Sequence, residues 1–324
     1  MTSIAEIKAP IAEELSQFEQ KFRSALKTDV PLLNNVIHYI VKRKGKQMRP
    51  MFVFLSANLF APTNDSTFRA ASLIELLHTA TLVHDDVVDD SNIRRGFFSL
   101  NALWKNKIAV LVGDYLLSTG LQLSVDNDEF RLLKVVSEAV QRMSEGELLQ
   151  MEKARKMDID EATYFKIIEH KTAALIAACC EAGALSGGAN EQDVAAMKEF
   201  GRHVGIAFQI KDDLFDYGDG DGVGKPTGID IKERKITLPL IHAISTASKK
   251  DRRWLVKTVK HQSDQPEKVK DVIKFVQQTD GIQHAVDAMH EHQDCALKIL
   301  ANFEPSPARE ALEGLVKYSI ERKK

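Results

Sequence analysis

The stretch HTATLVHDDVVDDSNIRRG, residues 78–96, joins an apolar helical pattern to a run of acids. Asp85, Asp86 and Asp89 stand at positions i, i+1 and i+4. In a helix, Asp85 and Asp89 therefore share one face and Asp86 lies beside them. Like charges at this spacing repel each other, and the helix dipole disfavours anions at the C-terminal end. The stretch predicts a helix whose acidic end binds a cation.

A second acidic cluster repeats the same spacing 127 positions later. Asp212, Asp213 and Asp216 end another apolar stretch, GIAFQIKDDLFD, at residues 205–216. A solvated acidic helix end would explain either cluster alone, but both interrupt apolar helices. Carboxylate-only clusters favour hard cations, and few carboxylates with room for water and phosphate favour Mg²⁺. The pair predicts two or three Mg²⁺ ions around a diphosphate, with Mn²⁺ as a possible substitute.

Helical periodicity dominates the remaining sequence, which is 44% hydrophobic and 28% charged. The nine prolines mostly separate the helical runs, and no Gly/Ser/Pro-rich linker divides the chain. We therefore expect one all-α domain over residues 1–324, a bundle of roughly a dozen helices. The predicted helices are 4–27, 32–44, 49–60, 66–90, 101–125, 129–155, 160–186, 191–217, 236–247, 250–260, 266–276, 281–303 and 307–322.

Charge and cysteine content exclude several classes of protein. A net charge of −2 argues against a general nucleic-acid binder. Three cysteines, two of them adjacent, do not form a disulfide framework, which favours a cytoplasmic location. The N-terminal sequence does not resemble a signal peptide. The weakly polar run at 172–185 is too short to span a bilayer and contains Glu181, so we expect no stable membrane insertion.

Other metal sites fit the sequence less well. Residues 219–230 begin like a calcium loop, but Val223 and Asp230 occupy its fifth and twelfth positions. A di-iron bundle requires two Glu-x-x-His units, and only Glu75 with His78 is obvious. The Cys/His spacing of a zinc site is lacking.

Basic residues in apolar or glycine-containing settings accompany the acidic clusters. The guanidinium group suits phosphate oxygens as a forked donor, and the lysine ammonium suits them as a point charge. A surface salt bridge would explain any one of them, but together they predict two diphosphate sites, one bridged by metal and one bound directly. The basic residues are Lys46, Arg49, Arg94, Arg95, Lys171, Lys225 and Lys235. The polar residues Thr172 and Gln209 lie close to them in the sequence.

The sequence resembles the trans-isoprenyl diphosphate synthase (polyprenyl synthetase) family along nearly its whole length. The fold implied is the all-α isoprenoid synthase bundle around a deep central cavity, usually in a homodimer. The matching landmarks are GKQMRP (45–50), HTATLVHDDVVDDSNIRRG (78–96), GDYLLS (113–118), EGELLQ (145–150), HKTAALIAACCEAGAL (170–185), FQIKDDLFD (208–216), GKPTGIDIKERKITLPLI (224–241) and the ending VKYSIERKK.

The resemblance also implies roles for individual residues. The six aspartates of the two clusters are similar to the family's magnesium ligands. The expected isopentenyl diphosphate contacts are Lys46, Arg49, His78 and Arg95. The expected allylic diphosphate contacts are Arg94, Lys171, Lys225 and Lys235, with Gln209 and Thr172 near the developing carbocation. The chain departs from the family pattern at Lys44, Gln47 and Arg234, which bears on isopentenyl affinity.

The residues before Asp85 bear on product length. Leu77 and Thr81 share the face of Asp85, and Ala80 lies one step round the helix. One helical turn spans about 5.4 Å, roughly one isoprene unit. In the family that the sequence resembles, short-chain synthases typically have Phe or Tyr at this level, and longer-chain bacterial enzymes have two residues between the second and third aspartates, as here between Asp86 and Asp89. The resemblance therefore implies a product of roughly C30 to C50, with octaprenyl at the centre. A shorter-chain synthase is the alternative, in which Ala80 and Thr81 serve only packing.

Three other functions remain to be separated from this one. A class I terpene cyclase shares the helical fold but usually has a different second metal site, and it does not need isopentenyl diphosphate. A non-catalytic subunit of a heteromeric synthase usually lacks some of the aspartates. A helical scaffold gives no reason for the paired acidic and basic clusters.

Overall fold

The computed structural model describes residues 3–42, 46–94, 97–218 and 227–321, with only the backbone at Ile93 and Arg94. The first eight α-helices are α1 Ile4–Lys8, α2 Ala12–Ala25, α3 Pro31–Lys42, α4 Met48–Ala57, α5 Asp65–Val88, α6 Leu100–Val125, α7 Phe130–Lys156 and α8 Glu161–Ile168. The others are α9 Ala174–Ser186, α10 Glu191–Leu214, α11 Ile229–Lys232, α12 Leu238–Thr246, α13 Lys249–His261, α14 Pro266–Gln277, α15 Gly281–Leu300 and α16 Pro307–Glu321. The all-α prediction is confirmed.

Polar caps fix the start of the helices that carry the two acidic clusters. Asn64 accepts a hydrogen bond from the Thr67 backbone N–H at the start of α5, and Thr67 caps the Asn64 backbone in return. Asn190 accepts from the Asp193 N–H at the start of α10. Such caps satisfy backbone donors that have no partner within the helix. They fix where each helix begins, and thus the level at which its acidic end lies.

Two hydrogen bonds set the direction of these helices relative to α9, which packs against both. Asn64 at the start of α5 donates to the carbonyl of Ser186 at the end of α9 (2.8 Å). Thr172, just before α9, donates to Gln209 near the end of α10 (2.7 Å). Helix α9 is therefore antiparallel to both α5 and α10. The acidic ends of α5 and α10 lie at the same end of the bundle, beside the start of α9.

Helix α9 lies at the centre of the largest hydrophobic cluster. Cys179 and Cys180 are completely buried there, and all three cysteines are free. Burial raises the pKa of the Cys180 thiol to about 12. The expectation that the chain has no disulfide framework is met, and the adjacent cysteines act as small core side chains.

Several elements differ from the sequence prediction. The short helix α11, Ile229–Lys232, was not predicted, and the helix expected over 4–27 is interrupted by a 3₁₀ turn at Ala9–Ile11. Residues Glu169–Ala173 form a π-helix between α8 and α9, where a continuous helix over 160–186 was expected. Two short antiparallel strands, β1 Ile93–Arg94 and β2 Phe97–Phe98, follow the first acidic cluster, where no strand was evident. Two residues per strand are too few to show the alternation by which strands are found in sequences.

Helix α6 is the one helix among the described ranges that is long and apolar enough to cross a membrane, by length and composition alone. One third of its most apolar window is buried. Ala109, Val112 and Leu116 bury one face with residues of α3 and α5. Several apolar residues on another face remain exposed.

Candidate active site

A cavity of about 950 Å³ opens between α2, α3, α4, α5 and the β1–β2 hairpin. It brings together Lys46, Arg49 and His78, three of the residues predicted to bind isopentenyl diphosphate, and Asp86 of the first acidic cluster. The remaining wall is largely apolar and contributes Phe18, Phe22, Val41, Met48, Leu82, Phe97, Phe98 and Trp104. A charged recess beside an apolar wall suits a ligand with a diphosphate head and a hydrocarbon body.

Arg49 is held in place at the start of α4 by α5. Its Nε and Nη2 donate to the two carboxylate oxygens of Glu75 at 3.0 and 3.3 Å. The Lys46 ammonium lies 5.3 Å from the centre of the Tyr318 ring on α16. Paired donation to one carboxylate fixes the guanidinium plane and leaves its remaining N–H groups for an anion. Glu75 is a positioning residue that the sequence analysis did not assign.

Lys171 lies in the π-helix, and α7 supplies its partners. Its ammonium donates to Gln150 Oε1 at 2.7 Å and lies 2.5 Å from Glu147 Oε2. Glu147 and Gln150 are three residues apart and so lie on one face of α7, within the EGELLQ landmark. This spacing of two polar residues is a sequence signal that could have indicated a partner site for a lysine.

A chain of hydrogen bonds leads from the π-helix into the second acidic cluster. Thr172 donates to Gln209 Oε1 (2.7 Å), and Gln209 Nε2 donates to Asp213 Oδ1 (2.8 Å). The Tyr164 hydroxyl donates to Asp213 Oδ2 (2.7 Å). Burial, which outweighs these hydrogen bonds, raises the pKa of Asp213 to about 7, with help from the nearby carboxylates of Asp230 and Asp212. Burial thus disfavours the charged form of the Asp213 carboxyl, and a nearby cation would favour it.

The Asp216 side chain contacts the backbone at the start of α11. Its carboxylate accepts hydrogen bonds from the backbone N–H groups of Ile229 (2.8 Å) and Asp230 (3.2 Å). The carboxyl of Asp230 is close enough that burial and the Asp216 charge raise its pKa to about 6. Asp216 thus fixes the start of α11, and Asp230 adds a carboxylate to the second cluster.

Lys235 lies at the end of this segment. Its ammonium is 2.6 Å from Glu233 Oε2. Burial opposes the charge of Lys235, but Glu233 and Asp230 outweigh it and raise the pKa of Lys235. The side chain is therefore a cation held beside the second acidic cluster, as a diphosphate contact requires.

The first cluster divides between solvent and cavity. Asp85 and Asp89 are exposed at the end of α5, whereas Asp86 is buried at the cavity wall. Asp212 of the second cluster is half-buried. The second-cluster aspartates are not among the described residues that line the cavity. In the described part of the chain no three acidic, histidine or cysteine side chains converge as a preformed metal site.

These carboxylates nevertheless fit divalent ions that arrive with a diphosphate. Both clusters lie at one end of the bundle, their donors are all oxygen, and Asp213 carries a raised pKa that a nearby cation would lower. Each ionised carboxylate has about four lone-pair sites, so the hydrogen bonds to Asp213 and Asp216 leave acceptor capacity for a ligand.

The residues expected to control product length lie one to two turns before Asp85. Ala80 is completely buried between α5 and α6. Leu77 is buried in the largest cluster, which also includes Val140 and Met143 of α7. Thr81 is half-buried and donates to the His78 carbonyl (2.9 Å). Ala80 therefore packs with residues of α3 and α6 in one hydrophobic cluster.

Three predicted residues are not placed by the structure. Arg95 and Lys225 lie outside the described residues, and of Arg94 only the backbone is described, paired with Phe97. Their roles stay predictions.

The π-helix that presents Lys171 and Thr172 is packed very closely by two glycines. A Cβ on Gly205 of α10 would lie 2.4 Å from the Ala173 Cα, and one on Gly146 of α7 would lie 2.8 Å from the Lys171 nitrogen. Single π-helical turns are rare and frequently occur at functional sites. Both neighbouring helices have a glycine where this turn needs space.

Comparison with known proteins agrees with this geometry. A family model described as Polyprenyl synthetase matches residues 30–276. The octaprenyl diphosphate synthase of Escherichia coli (strain K12) is 33% identical over 321 residues, which covers 99% of each chain. A decaprenyl diphosphate synthase structure from Rhodobacter capsulatus superimposes with a TM-score of 0.94 at 34% identity, covering 99% of this chain and 100% of that one. A geranylgeranyl pyrophosphate synthase structure from Bacteroides thetaiotaomicron is 38% identical with a TM-score of 0.84, covering 99% and 100%.

The fold and these matches define a prenyltransferase with the helical isoprenoid synthase fold. The chain belongs to the polyprenyl synthetase family, and it is an all-trans polyprenyl diphosphate synthase. Enzymes of this family use isoprenoid diphosphate substrates and are generally metal-dependent. The family resemblance and the isoprenoid synthase fold are thus confirmed. The matched relatives differ in product length, so the family does not fix it.

Proposed function

We propose that this enzyme adds isopentenyl diphosphate units head to tail to an allylic primer, farnesyl or geranylgeranyl diphosphate, and makes a long-chain product in the cytoplasm. The observation that carries the proposal is the common end of the bundle shared by both acidic clusters and by Lys171 and Thr172. The whole chain acts as one polyprenyl synthetase domain, which the near-complete coverage of its relatives supports.

The two substrates use different parts of the site. Lys46, Arg49 and His78 hold isopentenyl diphosphate in the cavity, with Arg95 as a further contact. Lys171 and Lys235, with Arg94 and Lys225, hold the allylic diphosphate at the acidic end. The apolar cavity wall keeps water away from the isopentenyl chain, whose double bond attacks the allylic carbocation.

The reaction begins when the allylic C–O bond breaks and diphosphate takes the electron pair. The double bond of isopentenyl diphosphate then forms the new C–C bond, and a proton passes to the departed diphosphate. Thr172 Oγ1 and Gln209 Oε1, joined by a hydrogen bond of 2.7 Å, are the oxygen atoms proposed to stabilise the developing cation. Positioning and electrostatic stabilisation therefore supply most of the catalysis.

Two or three Mg²⁺ ions, or Mn²⁺ in their place, fit the donor set. We propose Asp85, Asp86, Asp89, Asp212, Asp213 and Asp216 as the residues that hold them. When bound, these ions neutralise the charge that develops on the leaving diphosphate. Tyr164 and Gln209 orient Asp213, and the α11 backbone orients Asp216, so each carboxylate presents a defined edge.

The length proposal, octaprenyl within a range of roughly C30 to C50, rests on the small side chains one turn before Asp85. Replacing Ala80 with Phe is expected to shift the product down to roughly C15 to C20, because an aromatic ring at that turn closes the path of the tail. Products from farnesyl and isopentenyl diphosphates, separated by reversed-phase chromatography, measure the shift. The same experiment with the unchanged enzyme tests the function itself.

Ala109→Phe is the matched control, since Ala109 is also completely buried in the α5–α6 cluster but lies on α6 next to Val110, whose carbonyl contacts His84, on the diphosphate side of Ala80. A shift confined to Ala80→Phe supports the length assignment. If Ala80→Phe folds normally and still makes the original product, Ala80 does not limit the length of the product. If the unchanged enzyme makes only C15 or C20, the shorter-chain alternative holds.

We further propose a homodimer that forms through α6. Beyond a break in the helix at Lys105, four exposed apolar residues, Val110, Leu111, Leu121 and Val125, fall within an arc of about 100° roughly opposite the buried face. The exposed Asp114 and Ser118 lie in the same arc, so this surface is mixed rather than uniformly apolar. Exposed apolar side chains grouped in this way are typical of surfaces where subunits pack together. Sedimentation should give the mass of two chains for the unchanged protein and the mass of one chain for the double variant Leu111→Glu with Leu121→Glu.

Activity of the purified chain alone would exclude a non-catalytic subunit, and a requirement for isopentenyl diphosphate would exclude a cyclase.

A further inference from the structure

Helix α13 has an unusual distribution of charge. Six Lys and Arg residues and a single acid, Asp251, fall within Lys249–His261. At about 100° per residue, five of the six project within one arc of about 100°. These five are Lys249, Lys250, Arg253, Lys257 and Lys260, called the α13 stripe below. Leu255, Thr258 and Val259 are buried on the opposite side, so the stripe faces solvent.

Placing the stripe here opposes helix stability in two ways. Lys249, Lys250 and Arg253 lie near the N-terminal end, where the helix dipole disfavours cations. Lys249, Arg253 and Lys257 stand four residues apart, so neighbouring like charges repel. Within the described ranges, no acidic side chain forms an ion pair with any residue of the stripe, whereas Lys268 and Lys270 on the adjacent α14 both have one.

The rest of the molecule has the opposite sign. The chain carries −2 in total, and the Lys, Arg and Asp residues of α13 carry +5, so all other residues carry −7. Most Lys and Arg residues lie elsewhere among a larger number of acids, and α13 is a segment in which positive charges strongly outnumber negative ones. A concentration of positive charge on one face is better explained by binding to an extended anionic surface than by a general contribution to solubility.

The stripe lies near the substrate end of the enzyme. Arg234, the residue before Lys235, points its Nε at Ser263 Oγ (3.5 Å), just beyond the end of α13. Trp254 is partly exposed at the edge of α13, with its ring 5.7 Å from that of Phe275. Indole rings are enriched where proteins meet the lipid headgroup layer. The C-terminal end of the stripe and the loop that carries Lys235 thus share one side of the molecule.

The activity of the enzyme indicates which anionic surface is relevant. This step rests on the proposed function, by which the product has a long apolar tail, and each buried CH₂ favours transfer out of water. A bilayer is the destination that accepts such a tail, and anionic lipid headgroups complement a row of cations on an amphipathic helix. A nucleic acid would fit the charges equally well, but nothing in the reaction requires one.

We propose that the α13 stripe docks the enzyme on anionic phospholipid membranes, with the substrate end of the bundle next to the lipid. The contact is peripheral and electrostatic, without insertion of a helix. A basic residue near an anionic leaflet strengthens binding by about fivefold, so the stripe should bind vesicles strongly at low salt and weakly at high salt.

Cosedimentation with vesicles tests this. The unchanged protein should bind vesicles containing about one third phosphatidylglycerol at least tenfold more strongly than pure phosphatidylcholine vesicles, and salt should abolish the difference. Reversing Lys249, Arg253, Lys257 and Lys260 to Glu should lower binding by more than about a hundredfold. A second variant with Gln at these positions should lower it less, in proportion to the smaller charge change.

The matched control reverses four exposed residues elsewhere, Lys27, Arg142, Lys166 and Lys298, and changes the net charge equally. It should retain most of the binding. The proposal would be overturned if the protein bound anionic and neutral vesicles equally. It would also be overturned if both stripe variants bound as well as the unchanged protein, or if the control variant lost as much binding as they do. Thermal unfolding and synthase activity without vesicles, expected to be unchanged, show that the stripe variants fold. A preference for RNA over anionic vesicles would also overturn it.

Discussion

Replacing Asp85 with Asn is expected to lower kcat/KM for the allylic substrate by about 10²–10³-fold or more while leaving the fold intact. The substitution keeps the shape of the side chain but removes the charge that holds a divalent ion near the leaving diphosphate. Asp85 is exposed at the end of α5, and the helix dipole disfavours its charge, so its removal should not destabilise the helix. Steady-state kinetics across a range of Mg²⁺ concentrations, with thermal unfolding alongside, give the measurement.

Asp287→Asn provides the control, because Asp287 is an exposed helical aspartate on α15 outside both clusters. Its kinetics should match those of the unchanged enzyme. Asp85→Asn should also raise the Mg²⁺ concentration needed for half-maximal rate, which a general folding defect would not do. Near-normal turnover of Asp85→Asn at ordinary Mg²⁺ concentrations would remove Asp85 from the metal site.

The sequence was sufficient wherever local pattern decides the structure. Helices α5 and α10 end within three residues of the predicted ends, because apolar periodicity and acidic ends are local signals. The grouping of Lys46, Arg49 and His78 followed from the family resemblance, and one cavity contains all three. Helix periodicity could not show the π-helix at Glu169–Ala173, because its wider turn depends on the neighbouring glycines rather than on its own residues.

The sequence could not separate the members of each acidic cluster. Asp212, Asp213 and Asp216 have equivalent spacing, yet Asp213 is buried against a tyrosine 49 residues away and Asp216 binds backbone N–H groups 13 and 14 residues on. Partners at such separations arise from tertiary packing. For the same reason, the sequence did not indicate the roles of Glu75, Glu147, Gln150 and Asp230. Those roles depend on which side chain the folded chain places opposite each of them.

Replacing Gly205 with Ala is expected to reduce activity strongly and stability moderately. The new methyl would lie 2.4 Å from the Ala173 Cα, a backbone atom that cannot turn aside, so α10 and the π-helix must separate. Overpacking of this kind costs about 1–3 kcal/mol, partly offset by about 1 kcal/mol of helix propensity from Gly to Ala. Separation also stretches the 2.7 Å bond from Thr172 to Gln209. A displacement of about 1 Å at a catalytic group can cost about 10²-fold in rate.

Gly120→Ala is the matched control, a buried glycine in α6 where the added methyl would come closest to the Leu73 side chain, at 3.2 Å, with Leu76 and Leu77 at ordinary contact distances of 3.7 and 3.8 Å. Because that side chain can shift, this variant should unfold at or above the original temperature and keep its activity. Gly205→Ala should instead lose kcat far more than its small change in unfolding temperature explains. Equal activity in the two variants would mean that close packing of α10 on the π-helix does not set the positions of Lys171 and Thr172, and that the turn tolerates movement during catalysis.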